Sequence, residues 1–181
     1  SEGMALRVVG FDEEGLSGGT LIKGGLVPGL SARLYEHPLS MVTLVGYRVS
    51  EPSAVSEVLS KASQVGAEVL GVAMTPSSLL LYARAPPSLL NELHDLISSK
   101  GLAKAVHSFE PLAMIVVSGH ELEETPGVVS LVTAPLARGG INLYGVLTIS
   151  SSIRAFVRWE DRERALSLIE AELRRLEAEG G

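Results

Sequence analysis

The sequence predicts an α+β protein built from two βαββαβ units, whose antiparallel sheets are covered by helices. The chain repeats itself: a shift of 73 residues places Met41–Gly46 on Met114–Gly119, and a shift of 74 places Arg84 on Arg158. A repeat of this length is a small domain and is too long for one turn of a solenoid. Of the 181 residues, 46% are hydrophobic and 20% are charged, which is enough apolar material to fill two cores.

Composition excludes several classes of function. The net charge of −6 argues against binding to a nucleic-acid backbone, and no apolar run is long enough to span a membrane. The chain has no cysteine, which excludes disulfides, thiolate metal sites and a cysteine nucleophile, and its four histidines lack metal-ligand spacing. We therefore expect no metal and no cofactor. The absence of cysteine fits a cytoplasmic protein, and an excess of arginine over lysine leans towards a thermophile.

The first 29 residues form a separate N-terminal segment. Short strands are predicted at Leu6–Val9 and Thr20–Ile22, with a polar, glycine-rich loop over Gly10–Gly19. Such glycines suggest a phosphate-binding loop, but the GxxxxGK[ST] pattern is missing and no helix follows. We interpret the glycines as turn formers between short strands.

The first unit covers residues 30–110. Leu30–Tyr35 alternates apolar and polar residues, as a half-buried strand does. The predicted elements that follow are a strand at Met41–Val45, a helix from Ser50–Ser53 to Gly66, strands at Val69–Met74 and Leu79–Ala85, a helix from Pro86–Ser88 through Ile97, and a strand at Ala105–Phe109.

The second unit covers residues 111–181. Its predicted elements are a strand at Ala113–Ser118, a helix starting at Thr125–Gly127 and stopping at Gly139–Gly140, a strand entered at Ile141–Leu143, a strand at Ile153–Val157, and a helix from Asp161 to about Ala178. This copy has no fourth strand of its own, so we expect Leu30–Tyr35 to complete its sheet and the two units to be interleaved. The remaining open edges favour edge-to-edge pairing and a homodimer.

The second unit resembles an ACT domain, the ferredoxin-like ligand-binding module that regulates amino-acid biosynthesis. The resemblance rests on Val117–Gly119, Thr125–Val128, Leu136–Ala137, Gly140–Leu143 and Ser150–Ser151. More narrowly, the chain is similar to the tandem ACT regulatory region of aspartate kinases, and the N-terminal segment is similar to the last strands of the kinase domain. The kinase nucleotide motif is missing, so the resemblance implies a regulatory domain that is not itself an enzyme.

The resemblance also implies where an effector amino acid binds, namely where the loop of one unit meets the strand start of a neighbouring unit. The first amides of a helix have no internal partners, and small residues let a ligand approach them. The candidate ligand contacts are Gly119, His120, Glu121, Leu122, Thr125, Pro126, Gly127, Val128, Ile141, Asn142, Ser150 and Ser151. The alternative is that Gly127 only starts a helix, that Asn142 caps a turn, and that the loop glutamates are solvated.

Two hypotheses of function follow. The first is an allosteric domain that binds a small amino acid, of the lysine or threonine class, at an ACT–ACT interface and signals to a kinase partner. The second is a ligand-free structural pair that serves oligomerisation or protein docking. The first unit favours the second hypothesis, because it has Ala67–Glu68 where the second unit has Ile141–Asn142. No set of residues supports a catalytic site.

Overall fold

The computed structural model describes residues 4–12, 15–24, 29–119, 122 and 126–179. The elements within these ranges are β1 (Met4–Asp12), β2 (Gly15–Gly24), β3 (Ser31–Leu34), β4 (Leu39–Val45), α1 (Pro52–Gln64), β5 (Glu68–Thr75), β6 (Ser78–Arg84), α2 (Ser88–Lys100), β7 (Ala105–Ser118), α3 (Val128–Arg138), β8 (Gly145–Ile149), β9 (Ser152–Arg158) and α4 (Arg162–Glu179). A 3₁₀ turn (Trp159–Asp161) leads into α4. None of the helices in these ranges is long and apolar enough to cross a membrane.

The N-terminal strands β1 and β2 form a two-stranded antiparallel hairpin. The prediction of a loop over Gly10–Gly19 is wrong, because most of these residues lie within β1 and β2. Pairing continues to Phe11 with Leu16 and to Asp12 with Gly15, so the backbone of this glycine-rich stretch finds cross-strand partners.

The other strands form one antiparallel sheet in the order β5-β6-β4-β7-β9-β8, and β3 also pairs with β7. Strand β3 lies against Ile115–Ser118, in the second unit, whereas β4 lies against the first part of β7. A shift of 74 residues places β3 on Ala105–Ser108, so β3 is the repeat equivalent of the start of β7. The predicted interleaving of two βαββαβ units is confirmed.

Strand β7 joins two strands that the sequence pattern separates, Ala105–Phe109 and Ala113–Ser118. Its first part pairs with β4 and its second part pairs with β9 and β3, so hydrogen-bond partners continue past the Glu110–Pro111 junction. One strand thereby serves as the last strand of the first unit and the first strand of the second.

Each unit has its own aliphatic core between its helices and one face of the sheet. In the first unit, α1 contributes Ala54, Val58 and Ala62 at helical spacing. In the second unit, α4 contributes Ala165 and Ile169, which are fully buried. The opposite face of the sheet is therefore left for contacts between the units.

The two halves of the sheet fold over so that these opposite faces meet. The rings of Tyr82 in β6 and Phe156 in β9 stack with centroids 3.8 Å apart. Two strands separate β6 from β9, so a flat sheet would hold them roughly 14 Å apart. The Tyr82 hydroxyl donates to the Tyr144 carbonyl at 2.9 Å, and Arg154 donates to the Leu70 carbonyl. The two acceptor carbonyls lie at equivalent positions, because Leu70 and Tyr144 differ by the repeat shift.

Candidate ligand-binding site

The loop end of the second unit forms an open groove at the start of α3. Gly127 adopts a left-handed conformation (φ 79°) and delays the helix to Val128, later than the start predicted at Thr125–Gly127. Ser130 bonds the Gly127 carbonyl through both its amide and its hydroxyl. The groove has a volume of about 340 Å³ and is lined by Leu122, Val128, Val129, Thr148, Ser150, Ser152 and Ile153.

Several predicted contacts meet at this groove. Leu122 is buried, and Val128 and Ser150 line the wall. The Gly119 amide donates to the Ser151 carbonyl at 3.2 Å, which ties the strand end to the β8–β9 turn. The lining combines aliphatic side chains with three hydroxyl groups, a chemistry that suits a small, partly polar molecule.

The first unit has larger groups at two of the equivalent positions, although Ala54 is smaller than its counterpart Val128. Met74 stands where the second unit has Thr148, and Pro76 where it has Ser150. The Pro76 carbonyl also accepts a hydrogen bond from Ser50 at 3.2 Å. At these two positions the smaller side chains, Thr148 and Ser150, are therefore in the second repeat.

Two predicted contacts, Ile141 and Asn142, lie at the opposite end of α3. This helix has 11 residues, which corresponds to roughly 16 Å of length. The Ile141 side chain is 6% exposed and belongs to the core, while its amide donates to the Leu136 carbonyl. Strand β8 begins at Gly145, later than the predicted entry at Ile141–Leu143, and Asn142 is an exposed residue before it.

Around Asn142 the structure shows a polar and aromatic cluster. The Arg158 Nε donates to the Tyr144 hydroxyl at 2.9 Å, and the Tyr144 ring stacks on Phe109 at 4.5 Å. Hydrogen bonds to this hydroxyl, first from Arg158 and also from Asn142, lower the pKa of Tyr144. A cation and an amide thus converge on one hydroxyl.

The remaining predicted contacts are accounted for as follows. Pro126 and Gly127 are exposed at the helix start. His120, Glu121 and Thr125 lie outside the described residues. Sequence reasoning missed the groove residues Val129, Thr148, Ser152 and Ile153. In the Asn142 cluster it missed Tyr144 and Arg158. The repeat carried a signal for Arg158, because Arg84 stands at the equivalent position.

Within the described residues, no group of three or more histidine, aspartate or glutamate side chains is placed to hold a metal ion. The groove and the Asn142 cluster therefore offer hydroxyl, amide, guanidinium and aromatic groups as their chemistry.

The architecture described above, two interleaved βαββαβ units with helices on the outer faces, is that of the ACT regulatory regions of aspartate kinases. The regulatory subunit of aspartate kinase from Thermus thermophilus, in its ligand-free form, aligns with a TM-score of 0.67 at 17% identity, over 82% of this chain and 99% of that one. The aspartate kinase of Clostridium acetobutylicum aligns with a TM-score of 0.69 at 14% identity, over 80% of this chain and 34% of that one.

A third similar structure is E. coli aspartokinase III in complex with lysine and aspartate, with a TM-score of 0.62 at 20% identity, over 82% of this chain and 33% of that one. The chain thus spans about a third of the length of these whole kinases. No protein-family model matches the sequence, and no curated protein is significantly similar to it in sequence. At these identities the likeness shows the fold.

Proposed function

We propose that this chain is an allosteric regulatory domain of the aspartate-kinase type, which binds a small amino acid at an interface between ACT units. The observation that carries the proposal is the groove at the start of α3. Gly127 and the small hydroxyl residues Thr148 and Ser150 open this groove, and the first repeat has Met74 and Pro76 at the latter two positions.

The described part of the groove favours one class of effector. Its lining residues carry aliphatic and hydroxyl groups and no charged group. The hydroxyl and methyl groups of threonine match this aliphatic and hydroxyl lining. Threonine is therefore the first effector to test, and lysine is the second.

A second copy of the chain is the expected source of the missing half of the interface. The groove and Asn142 lie at opposite ends of α3, so one ligand reaches both only when another ACT unit brings its own Asn142 to the groove. The outer strands β5 and β8 end the sheet, and Val69–Thr75 and Gly145–Ile149 carry no charge. Uncharged edge strands pair readily, which favours a homodimer. The kinase that receives the signal is either a partner chain or a domain of the same chain.

A thermal-shift screen against the twenty amino acids, followed by calorimetry, tests the proposal. A ligand present at a hundred times its Kd stabilises the native state by about 2.7 kcal/mol, which raises the Tm of a protein of this size by about 5–10 °C. A Thr148→Met variant, which introduces the side chain of the first repeat, should lose the shift. Met74→Thr is the matched control in the first unit and should keep it.

A flat panel on well-folded protein would overturn the proposal. It would favour the second candidate function, a structural ACT pair. The specific observation behind that candidate is the first repeat, where Met74 and Pro76 replace the small groove residues. Sedimentation analysis with and without amino acids separates the two functions, because only a sensor responds to the ligand.

A further inference from the structure

One row of side chains on the sheet of the second unit carries two arginines. Arg33 in β3 lies opposite Val116 in β7, and Val116 lies opposite Arg154 in β9. Arg154 in turn lies opposite Leu147 in β8. Directly paired residues point to the same face of a sheet, and Val116 and Leu147 belong to the cluster on the face away from the helices. We call these four residues the arginine row.

The two cations of this row have no carboxylate partner among the described residues. Arg33 is exposed and forms no ion pair there. Arg154 is half-buried and donates to the Leu70 carbonyl of the first unit, while its Nε is buried without a hydrogen-bond partner. A buried charge that meets only a neutral group costs free energy. Both guanidinium groups are therefore suited to an anionic group from outside the described residues.

A carboxylate at the end of this face is already engaged. Glu68 of the first unit accepts a hydrogen bond at 2.9 Å from the hydroxyl of Tyr35, two residues along the chain from Arg33. The Arg84 Nε lies 3.6 Å from the same carboxylate oxygen. Glu68 is thus shared between Tyr35 and a cation of its own unit.

The first repeat has the same row without the arginines. The repeat shift places His107 on Arg33 and Leu80 on Arg154. These first-unit residues lie opposite the same neighbour in β4, Thr43, which is the counterpart of Val116. This part of the fold therefore forms with a histidine and a leucine, and the first repeat supplies a matched comparison for each arginine.

The chemistry of the row fits carboxylates. A guanidinium binds a carboxylate through charge-assisted and often paired hydrogen bonds. Ser31 and Ser118, which pair with each other in the next row on the same face, add two hydroxyl groups. The net charge of −6 disfavours a nucleic acid as the anionic partner.

We propose that the arginine row docks an acidic helix of a partner protein. Two strand spacings separate the backbones of Arg33 and Arg154 by roughly 10 Å. Side chains seven residues apart on a helix share one face and are about 10.5 Å apart, so two glutamates at that spacing can meet the two guanidinium groups. Ile149, two residues along β8 from Leu147 and 44% exposed, offers the helix an apolar contact.

This docking surface is separate from the groove at α3. Thr148, which lines the groove, lies between Leu147 and Ile149 in β8. Successive side chains of a strand point to opposite faces, so Thr148 is on the helix side of the sheet and the arginine row is on the other side. The docking surface does not depend on a ligand in the groove.

Synthetic helical peptides test the proposal by fluorescence anisotropy. The first peptide has two glutamates seven residues apart, and the second has glutamine at both positions. At 0.15 M salt, charges farther apart than about 8 Å are screened, which limits repulsion by the acidic chain. The glutamate peptide should bind at least about tenfold more tightly, the contribution of one charge-assisted hydrogen bond. Equal binding of the two peptides, or no binding of either, would overturn the proposal.

A third peptide tests the spacing. It has the composition of the first, but its two glutamates stand five residues apart and therefore on different sides of the helix. It should bind more weakly than the first peptide. Equal binding would show that charge alone is recognised and would overturn the docking of a helix.

Substitutions in the row test the two arginines. Arg33→Gln, at an exposed position, and Arg154→Leu, which introduces the residue of the first repeat, should each weaken binding by at least about tenfold. Circular dichroism checks the fold of Arg154→Leu, because this variant also loses the bond to the Leu70 carbonyl. His107→Gln in the first unit is the matched control and should bind within about threefold of the wild type. Unchanged binding by Arg33→Gln would overturn the proposal.

Two further measurements separate this proposal from its rivals. Sedimentation equilibrium of Arg33→Gln should match the wild type, and loss of a dimer would overturn the proposal, because a second copy would then cover the row. Thr148→Met should leave peptide binding unchanged, and Arg33→Gln should leave an amino-acid-induced thermal shift unchanged. A flat amino-acid panel combined with selective binding of the glutamate peptide would refute the sensor and support the docking surface.

Discussion

Gly145 is the position at which a single methyl group should test how the two units pack. A Cβ added there would overlap the Tyr82 hydroxyl and lie 2.8 Å from its Cζ. The backbone of Gly145 is not in the left-handed region, so alanine is conformationally acceptable there. In the folded protein, the effect of Gly145→Ala is then one of space.

The surroundings leave Tyr82 little room to move. Its side chain is 2% exposed, its ring is stacked on Phe156, and its hydroxyl is bonded to the Tyr144 carbonyl. Overpacking a tight core costs about 1–3 kcal/mol, and losing the hydroxyl bond adds about 1 kcal/mol. Replacing glycine by alanine restores about 0.4–1 kcal/mol through the unfolded chain. The net loss in free energy of unfolding is about 2 kcal/mol.

Urea denaturation followed by circular dichroism measures this loss. The midpoint should fall while the slope stays constant, and the Tm should drop by about 4–8 °C for a chain of this size. A matched test is the double variant with Tyr82→Phe, which removes the overlapping oxygen and should recover part of the loss, a coupling visible in a double-mutant cycle. A change below about 0.5 kcal/mol, the range of neutral surface substitutions, would refute the packing described for the two units.

Three further predictions concern the second unit. Gly127→Ala should lower the free energy of unfolding by about 1–2 kcal/mol in urea titrations, because the left-handed conformation of Gly127 before α3 (φ 79°) is unfavourable for a residue with a side chain. Unchanged stability would mean that residue 127 does not have this conformation. The Glu172 carboxylate accepts hydrogen bonds from Arg138 and Arg175, and the bond from Arg175 is the main cause of the lowered pKa of Glu172. Ionised Glu172 therefore stabilises the fold above the ordinary glutamate pKa, and this stabilisation is lost as the pH falls through the lowered pKa of Glu172. Glu172→Gln should therefore make the free energy of unfolding fall less steeply at acid pH. The same acid dependence in the variant and the wild type would contradict this prediction. Arg158 holds the pKa of Tyr144 low, so Tyr144→Phe should move the onset of phenolate absorbance to higher pH, and an unmoved onset would argue against the bond.

The fold was predictable because its signals are local and occur twice. Strand and helix periods place most elements, and the missing fourth strand of the second unit predicts where β3 must go. The continuity of β7 was not predictable, since it depends on hydrogen bonding to β4 before Pro111 and to β3 and β9 after it. Sequence periodicity reports which face of a strand is buried and is silent on how far hydrogen bonding continues.

The candidate site was only partly predictable, for a geometric reason. Gly127 and Asn142 are near in sequence, but the whole of α3 lies between them. Thr148 and Ser152 could be placed at the groove only once the register of β8 with β9 was known. Arg158 had a signal in its repeat partner Arg84, yet its meaning depends on the cross-strand pairing of Glu68 with Arg84.

The differences between the repeats run in both directions, since Ala54 stands where the second unit has the larger Val128, but three of them bear on the proposed groove and on Asn142. At each of three equivalent positions, the first repeat has a bulky or charged side chain and the second has a smaller or neutral one. The pairs are Met74 and Thr148, Pro76 and Ser150, and Glu68 and Asn142. Met74 and Pro76 are exposed, so the first two differences alter the surface of the loop end and leave the core unchanged. The first repeat therefore serves as a reference within the same chain, against which the proposed groove of the second repeat can be tested by exchanging Thr148 and Met74.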